Sequence, residues 1–156
     1  MVRQVLPETG LTKVVVEGWT QPGWADMHAL ASLGARARGR SILLSPFDSV
    51  IWYRQRVERL FGLRHRLEAY TPKAKRQFGY FAMPVLSGSK LVGLVDPGRL
   101  DGAFVAKHVT MLEPSAIEHV ARAITEAGAW VGCTGFVVER ASPAPARAQL
   151  ERLLRA

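Results

Sequence analysis

Residues 79 to 96 read Gly79-Tyr-Phe-Ala-Met-Pro-Val-Leu-Ser-Gly-Ser-Lys-Leu-Val-Gly-Leu-Val-Asp96 and form the clearest hairpin pattern of the chain. Two largely apolar runs, 79–86 and 90–96, flank the turn Ser87-Gly88-Ser89, as in two antiparallel strands joined by a tight loop. Pro84 has no backbone N–H, which places that position at a sheet edge or a bulge. The hairpin predicts that the chain is built on an antiparallel sheet.

Further strands are predicted on both sides of this hairpin, in short runs rich in β-branched or other apolar residues. With two or three helices among them, the order predicts an α+β fold whose mostly antiparallel sheet curls toward a barrel. The predicted strands are residues 12–19, 41–45, 64–71, 104–112 and 135–140.

A helix is predicted over residues 48–61. Asp48 is a favourable N-cap, and Gly62 after the last apolar position favours a left-handed helix end. The interior of the domain is expected to take up the large aromatic side chains near this helix and near the end of the next one. Those predicted to be buried are Phe47, Trp52 and Trp130.

Two more helices are predicted from their end signals. Asp26 would cap a short helix that runs through Leu33. Ser115 and Glu118 have the spacing of a capping box, and the apolar stripe that follows them predicts a helix ending near Gly132.

The segment Arg36-Ala-Arg-Gly-Arg40 is the best candidate for a domain boundary. Residues 1–35 are too few to fold alone and are predicted to be the tail of a larger module. Residues 41–140 are predicted to be the sheet domain. A Ser-Pro-Ala-Pro linker and a C-terminal helix then occupy residues 141–156.

Positive charge is concentrated in residues 36–76. This segment holds eleven Lys/Arg and three acids, so its net charge of +8 equals that of the whole chain. Release of counterions makes a polyanion the natural partner of such a patch, although a solvated basic face has the same composition. The candidate nucleic-acid contacts are Arg36, Arg38, Arg40, Arg54, Arg56, Arg59, Lys73, Lys75, Arg76 and Tyr80.

The composition also narrows the class of protein. One cysteine, Cys133, excludes an internal disulfide framework and favours a reducing, cytoplasmic setting. No apolar run approaches the length that spans a membrane. The four histidines have no ligand-like spacing and no Gly-rich phosphate loop occurs, so neither a metal nor another cofactor is predicted. Asp48 is predicted to act as a helix cap rather than as a catalytic acid.

Several runs spread over the chain resemble one family, the crosslink-repair DNA glycosylases with winged helices. The resemblance covers residues 10–140 and is carried by more than one element. The matching runs are Val16-Glu-Gly-Trp19, Leu44-Ser-Pro-Phe-Asp48, Trp52-Tyr-Arg-Gln-Arg56, Glu58-Arg-Leu-Phe-Gly62, Glu68-Ala-Tyr-Thr-Pro72, Lys75-Arg-Gln-Phe-Gly-Tyr80, Pro84-Val-Leu86 and Val92-Gly-Leu-Val-Asp96.

The resemblance implies that this chain corresponds to the C-terminal part of such a protein. Residues 1–35 would be the end of a winged-helix module and residues 41–140 a small β-barrel, with double-stranded DNA as the partner. The family's catalytic Gln-x-Gln or His-x-Gln pair lies in the N-terminal part. The glutamines of this chain stand in neither arrangement, so no catalytic residue is assigned. They are Gln4, Gln21, Gln55, Gln77 and Gln149.

Three functions remain open from the sequence. The first is a DNA-binding relative of the glycosylases with no chemistry of its own, acting alone, as a homo-oligomer or with a second protein chain. The second is an active DNA glycosylase that uses a different catalytic residue. The third is a basic domain that binds an acidic protein. The segment Asp96-Pro-Gly-Arg-Leu-Asp101 departs from the family, which has more basic residues there, and argues against phosphate contacts at that turn.

Overall fold

The structure is a computed structural model that describes residues 10–32 and 39–155. The chain divides into two compact units, and the boundary falls between residues 37 and 38. In the first unit, β1 (Thr12–Val14) pairs antiparallel with β2 (Gly23–Ala25). Helix α1 (Met27–Ala31) follows, and the Asp26 carboxylate caps it by accepting the His28 N–H at 2.8 Å. The predicted cap is therefore confirmed.

The second unit contains one curled, half-barrel sheet. Its central strands are β4 (Met83–Ser87), β5 (Lys90–Leu100) and β6 (Ala103–Met111), all antiparallel. The predicted hairpin is β4–β5, with a register shift between Val85 and Leu86 beside Pro84. At one edge, β3 (Ser41–Leu43) pairs with β4. At the other, β7 (Gly135–Val138) and β8 (Ala141–Ser142) run parallel to β6.

The sheet is covered on both faces, which explains why β5 is apolar almost without alternation. One face packs against α4 (Ile117–Trp130) and the C-terminal α5 (Ala146–Leu153), in a core that includes Val95, Val120 and Leu150. The other face carries a second core, which includes Leu94, Ile51 and Val57 from the two helices before the hairpin. The α+β class and the curled sheet are as predicted.

The predicted helix over residues 48–61 is two helices. Asp48 caps α2 (Ser49–Trp52) by accepting the Val50 N–H at 2.8 Å, and α3 (Arg54–Phe61) ends at Gly62 with φ 66°. Between them, Tyr53 has φ −87° and ψ 89°, outside the helical region, so the helix breaks there. Both ends were predicted correctly, and the break was not.

The break changes which aromatic side chains are buried. Phe47 is 57% exposed and Trp52 is 66% exposed, and Trp130 at the end of α4 is 89% exposed. The prediction that these three side chains lie in the core is therefore wrong. Trp52 is the last residue of α2, so the change of backbone direction at Tyr53 removes the continuous helix on which its burial was predicted.

Two further predictions are corrected. The segment 64–71 buries His65 and Glu68, yet it pairs with no strand. Buried side chains, and not strand pairing, attach it to the domain. The predicted capping box at Ser115 and Glu118 is also absent, because a 3-10 turn (Pro114–Ala116) leads into α4 and no side chain caps the helix.

Candidate nucleic-acid interface

The Glu68 carboxylate fixes the backbone of the loop of residues 76–81 through hydrogen bonds. Its Oε2 accepts backbone N–H groups from three consecutive residues, at 3.0 Å from Gln77, 2.8 Å from Phe78 and 3.1 Å from Gly79. Burial raises the pKa of the Glu68 carboxyl, but these three bonds outweigh it and leave the pKa below its ordinary value. Glu68 is thus an ionised anchor for the loop.

A second carboxylate, Asp96 on β5, anchors the other end of the loop. Its Oδ2 lies 2.8 Å from the Tyr80 nitrogen and its Oδ1 lies 2.9 Å from the Phe81 nitrogen. Gly79 has φ 132°, and a Cβ atom at this position would lie 2.2 Å from Asp96 Oδ2. Only glycine allows the backbone to come this close.

The loop forms one wall of an open cleft of about 900 Å³, called here the basic cleft. Lys73, on the 3-10 turn Lys73–Lys75, and Arg76 contribute positive charge from this wall. The Arg76 guanidinium lies 5.0 Å from the centre of the Tyr80 ring, and its Nε donates to the Thr71 carbonyl at 2.8 Å. The Tyr80 ring and the Thr71 carbonyl therefore hold the Arg76 side chain in place, whereas the Lys73 side chain is exposed to solvent.

The opposite wall comes from β6 and from the residues that follow β7. Lys107 and His108 lie on β6, and Glu139 and Arg140 lie beside them because the Glu139 N–H donates to the Ala106 carbonyl at 2.9 Å. Lys107 and Arg140 add two more exposed positive charges. Glu139 is an exposed carboxylate of the cleft, and its side chain makes no hydrogen bond or ion pair with any other described residue.

His108 connects the two walls. Its Nε2 lies 3.0 Å from the Ser142 Oγ, and the ring also hydrogen-bonds the Phe78 backbone. Burial and the nearby charge of Arg140 lower its pKa below the ordinary value, despite the bond to Phe78 and the nearby carboxylates. At neutral pH this histidine is uncharged and acts as a structural bridge.

Of the candidate arginines that precede Lys73 in the sequence, those that the structure describes do not line the basic cleft. Arg36 and Arg38 lie outside the described residues. Arg40 pairs with Glu126, and Arg56 donates to the carbonyls of α2 that the helix break leaves free. Arg54 lies in a separate pocket, and Arg59 has an interaction outside the basic cleft lining.

The predicted cluster around residue 75 is brought together with residues that the sequence analysis missed. Lys73, Arg76 and Tyr80 line the basic cleft, while Lys75 lies on the same turn outside its lining. Lys107 and Arg140 were missed because they lie outside the charged segment 36–76. Each sits in or next to a predicted strand, but nothing in the sequence indicated that those strands are neighbours.

In residues 10–32 and 39–155, no three His, Cys, Asp or Glu side chains come together in a way that could hold a metal ion. No helix in the same ranges has both the length and the apolar character needed to cross a membrane.

Comparison with known proteins agrees with the resemblance found in the sequence. Among solved structures, the chain is similar to the DNA glycosylase AlkZ of Streptomyces sahachiroi, with 20% sequence identity and a TM-score of 0.38. The match covers 88% of this chain and 36% of that one, so the chain spans about a third of the length of that protein. The family model described as DNA glycosylase AlkZ-like matches residues 1–155. Since this match includes nearly every residue, the chain belongs to the AlkZ-like DNA glycosylase family.

Proposed function

We propose that this chain binds double-stranded DNA through the basic cleft and contributes no bond-breaking chemistry of its own. The observation that carries the proposal is the convergence of four cationic side chains on two facing walls of one cleft. They come from three separate parts of the chain, so the fold, and not merely a basic run of sequence, brings them together. They are Lys73, Arg76, Lys107 and Arg140.

Phosphate contact is the interaction that this arrangement supports. Lysine and arginine side chains that extend from a fixed framework contact phosphate oxygens and set the position of a duplex without reading its sequence. Glu68 and Asp96 fix this framework. Together their carboxylates accept hydrogen bonds from five backbone N–H groups of the loop. The expected binding is therefore independent of base sequence and strongly dependent on salt.

Several features support a non-catalytic role. A general acid that works at neutral pH needs a raised pKa, and the pKa of Glu68 is lowered instead. Asp96 uses both carboxylate oxygens on backbone N–H groups. Gln55 and Gln77 do not form the Gln-x-Gln pair that the family resemblance places elsewhere. We propose that any catalytic group comes from outside residues 1–156, since the family resemblance places it in winged helices.

The test is fluorescence anisotropy of a labelled duplex with the full chain, repeated across a range of salt concentrations. We expect micromolar binding at low salt, typical of sequence-independent contacts, and a slope of log K against log salt of about −3.6 if all four cations reach phosphates. Absence of binding at low salt would overturn the proposal. Binding to an acidic protein but not to the duplex would favour the protein-interaction function.

A second candidate is an active glycosylase, and it is favoured by Glu139. This exposed carboxylate lines the basic cleft together with Lys107 and makes no hydrogen bond or ion pair with another described residue, so it is available as a general base. The two functions differ in what Glu139→Gln changes, and an assay for release of free base separates them. If the chain only binds DNA, the variant should bind a duplex about two- to fivefold more tightly, because the negative charge that repels the phosphates is removed. An active enzyme should lose its release of free base from alkylated DNA.

A further inference from the structure

We propose that a pocket of exposed aromatic side chains next to the basic cleft binds an unpaired nucleobase, so that the chain prefers DNA with an unpaired nucleotide over a fully paired duplex. This inference rests on the proposed DNA binding and adds a site that phosphate contacts alone do not require. The pocket, called the aromatic pocket, has a volume of about 440 Å³. Its principal lining residues are Phe47, Trp52, Tyr53, Arg54, Gln55 and His65.

Three neighbouring aromatic side chains are exposed here at the same time. Phe47 and Trp52 are each more than half exposed, as is Tyr53 at 55%. The Phe47 and Trp52 rings lie 5.9 Å apart, centre to centre, so they form one surface. A cluster of exposed aromatic side chains is unfavourable in water unless a ligand covers it, and base stacking on such rings is independent of sequence.

The backbone is built to present these rings. The break at Tyr53 interrupts the helical hydrogen bonding between α2 and α3 and leaves carbonyl groups of α2 without helical partners. Arg56 turns back and donates to the Ser49 and Val50 carbonyls, which offsets part of that cost. A continuous helix would need no such repair, so the exposed position of Trp52 and Tyr53 is a specific feature of this domain.

The polar groups of the pocket match the edge of a base. The Tyr53 hydroxyl donates to Gln55 Oε1 at 2.7 Å, which leaves the Gln55 NH₂ group as a donor. His65 Nε2 lies 2.9 Å from the Ala82 carbonyl and must donate to it, so Nδ1 is the acceptor of that ring. Arg54 supplies a positive charge, and the lining contains no acid. Apolar faces with a donor, an acceptor and a cation suit a nucleotide better than an apolar peptide.

The aromatic pocket and the basic cleft share one structural support. The Phe47 ring lies 6.0 Å from the Phe81 ring, and Asp96 holds the Phe81 and Tyr80 nitrogens with its two oxygens. Tyr80 lines the cleft. The aromatic residue of the cleft is thus the chain neighbour of the residue that contacts the pocket, and an unpaired base would enter the pocket without the cost of leaving a stack.

The experiment measures binding of this chain to two labelled duplexes with the same number of base pairs, one fully paired and one with a single-nucleotide bulge. We expect the bulged duplex to bind about tenfold more tightly, because stacking of one base on an aromatic side chain has that effect. Trp52→Ala should remove this preference and leave the affinity for the paired duplex unchanged. Trp52→Phe should retain most of the preference, and an unchanged melting temperature would show that both variants are folded.

Trp130→Ala is the matched control, since Trp130 is even more exposed and lies outside the pocket. It should leave both affinities unchanged. The inference is overturned if the wild-type chain binds the two duplexes equally, or if the preference for the bulged duplex survives Trp52→Ala. Either result would favour a protein partner as the ligand of the pocket. Both of these results leave the proposed function intact, whereas failure of the paired duplex to bind at low salt overturns that function separately.

Discussion

Asp96 Oδ2 lies 2.8 Å from the backbone nitrogen of Tyr80, and through this bond the central strand of the sheet fixes the loop that carries the cleft's aromatic residue. The second oxygen of Asp96 does the same for Phe81. A carboxylate that accepts two backbone N–H groups in a buried position forms strong, charge-assisted hydrogen bonds. The position of the cleft wall therefore depends on one side chain from β5.

Asp96→Asn should lower the free energy of unfolding by about 2–3 kcal/mol, since the amide NH₂ group faces one of the two N–H donors and cannot accept from it. Chemical denaturation measures this change. Asp101→Asn is the control, because Asp101 lies exposed in the turn between β5 and β6, where asparagine also tolerates the observed φ of 47°. A loss of similar size in both variants would show that Asp96 does not hold the loop.

Gly79→Ala should be more harmful than the same change at another glycine with positive φ. Its Cβ atom would collide with Asp96 at 2.2 Å, and its φ of 132° is a conformation that only glycine adopts readily. We expect a loss of about 3 kcal/mol or more, with reduced duplex affinity. Gly132→Ala is the comparison, with φ 71° and no atom within 4 Å of the added Cβ. It should cost only about 1 kcal/mol, as measured by thermal or chemical unfolding.

Glu68 should make the domain sensitive to acid. Its folded pKa lies below the ordinary value of 4.5, so the unfolded chain takes up a proton first as the pH falls. The stability that Glu68 contributes is therefore present above about pH 4.5 and is lost as the pH falls through the folded pKa. Glu68→Gln should reduce the slope of unfolding free energy against pH in that acidic window. Glu118→Gln, at an exposed position, is the control, and an equal change of slope in both variants would contradict the assignment.

Local signals in the sequence predicted much of the fold. The turn at Ser87-Gly88-Ser89, the Asp48 cap and the Gly62 stop each depend on a few adjacent residues, and the structure contains all three. The break at Tyr53 has no such signal, since no glycine or proline occurs between Asp48 and Gly62. The exposure of Trp52 follows from that break and could not be predicted without it.

The sequence predicts only one wall of the basic cleft, and the reason differs from that for the break at Tyr53. The segment around Lys73 and Arg76 is visible as a run of charge, so it was proposed from composition. Lys107 and Arg140 become its neighbours through the parallel pairing of β6 with β7, which are joined by the long connection through α4. Such long-range pairing depends on the packing of the whole domain, and a sequence pattern of a few residues does not contain it.

Lys73 and Lys75 provide the sharpest test of the basic cleft, since they lie two residues apart on the same 3-10 turn and both are exposed. Neither side chain makes an ion pair with another described residue, but only Lys73 lines the cleft. Lys73→Ala should weaken duplex binding about fivefold at low salt and make the salt slope shallower by about one. Lys75→Ala should have a smaller effect on both, and neither variant should change the melting temperature. Equal losses in the two variants would mean that the charge of the turn as a whole, and not the cleft, attracts the DNA.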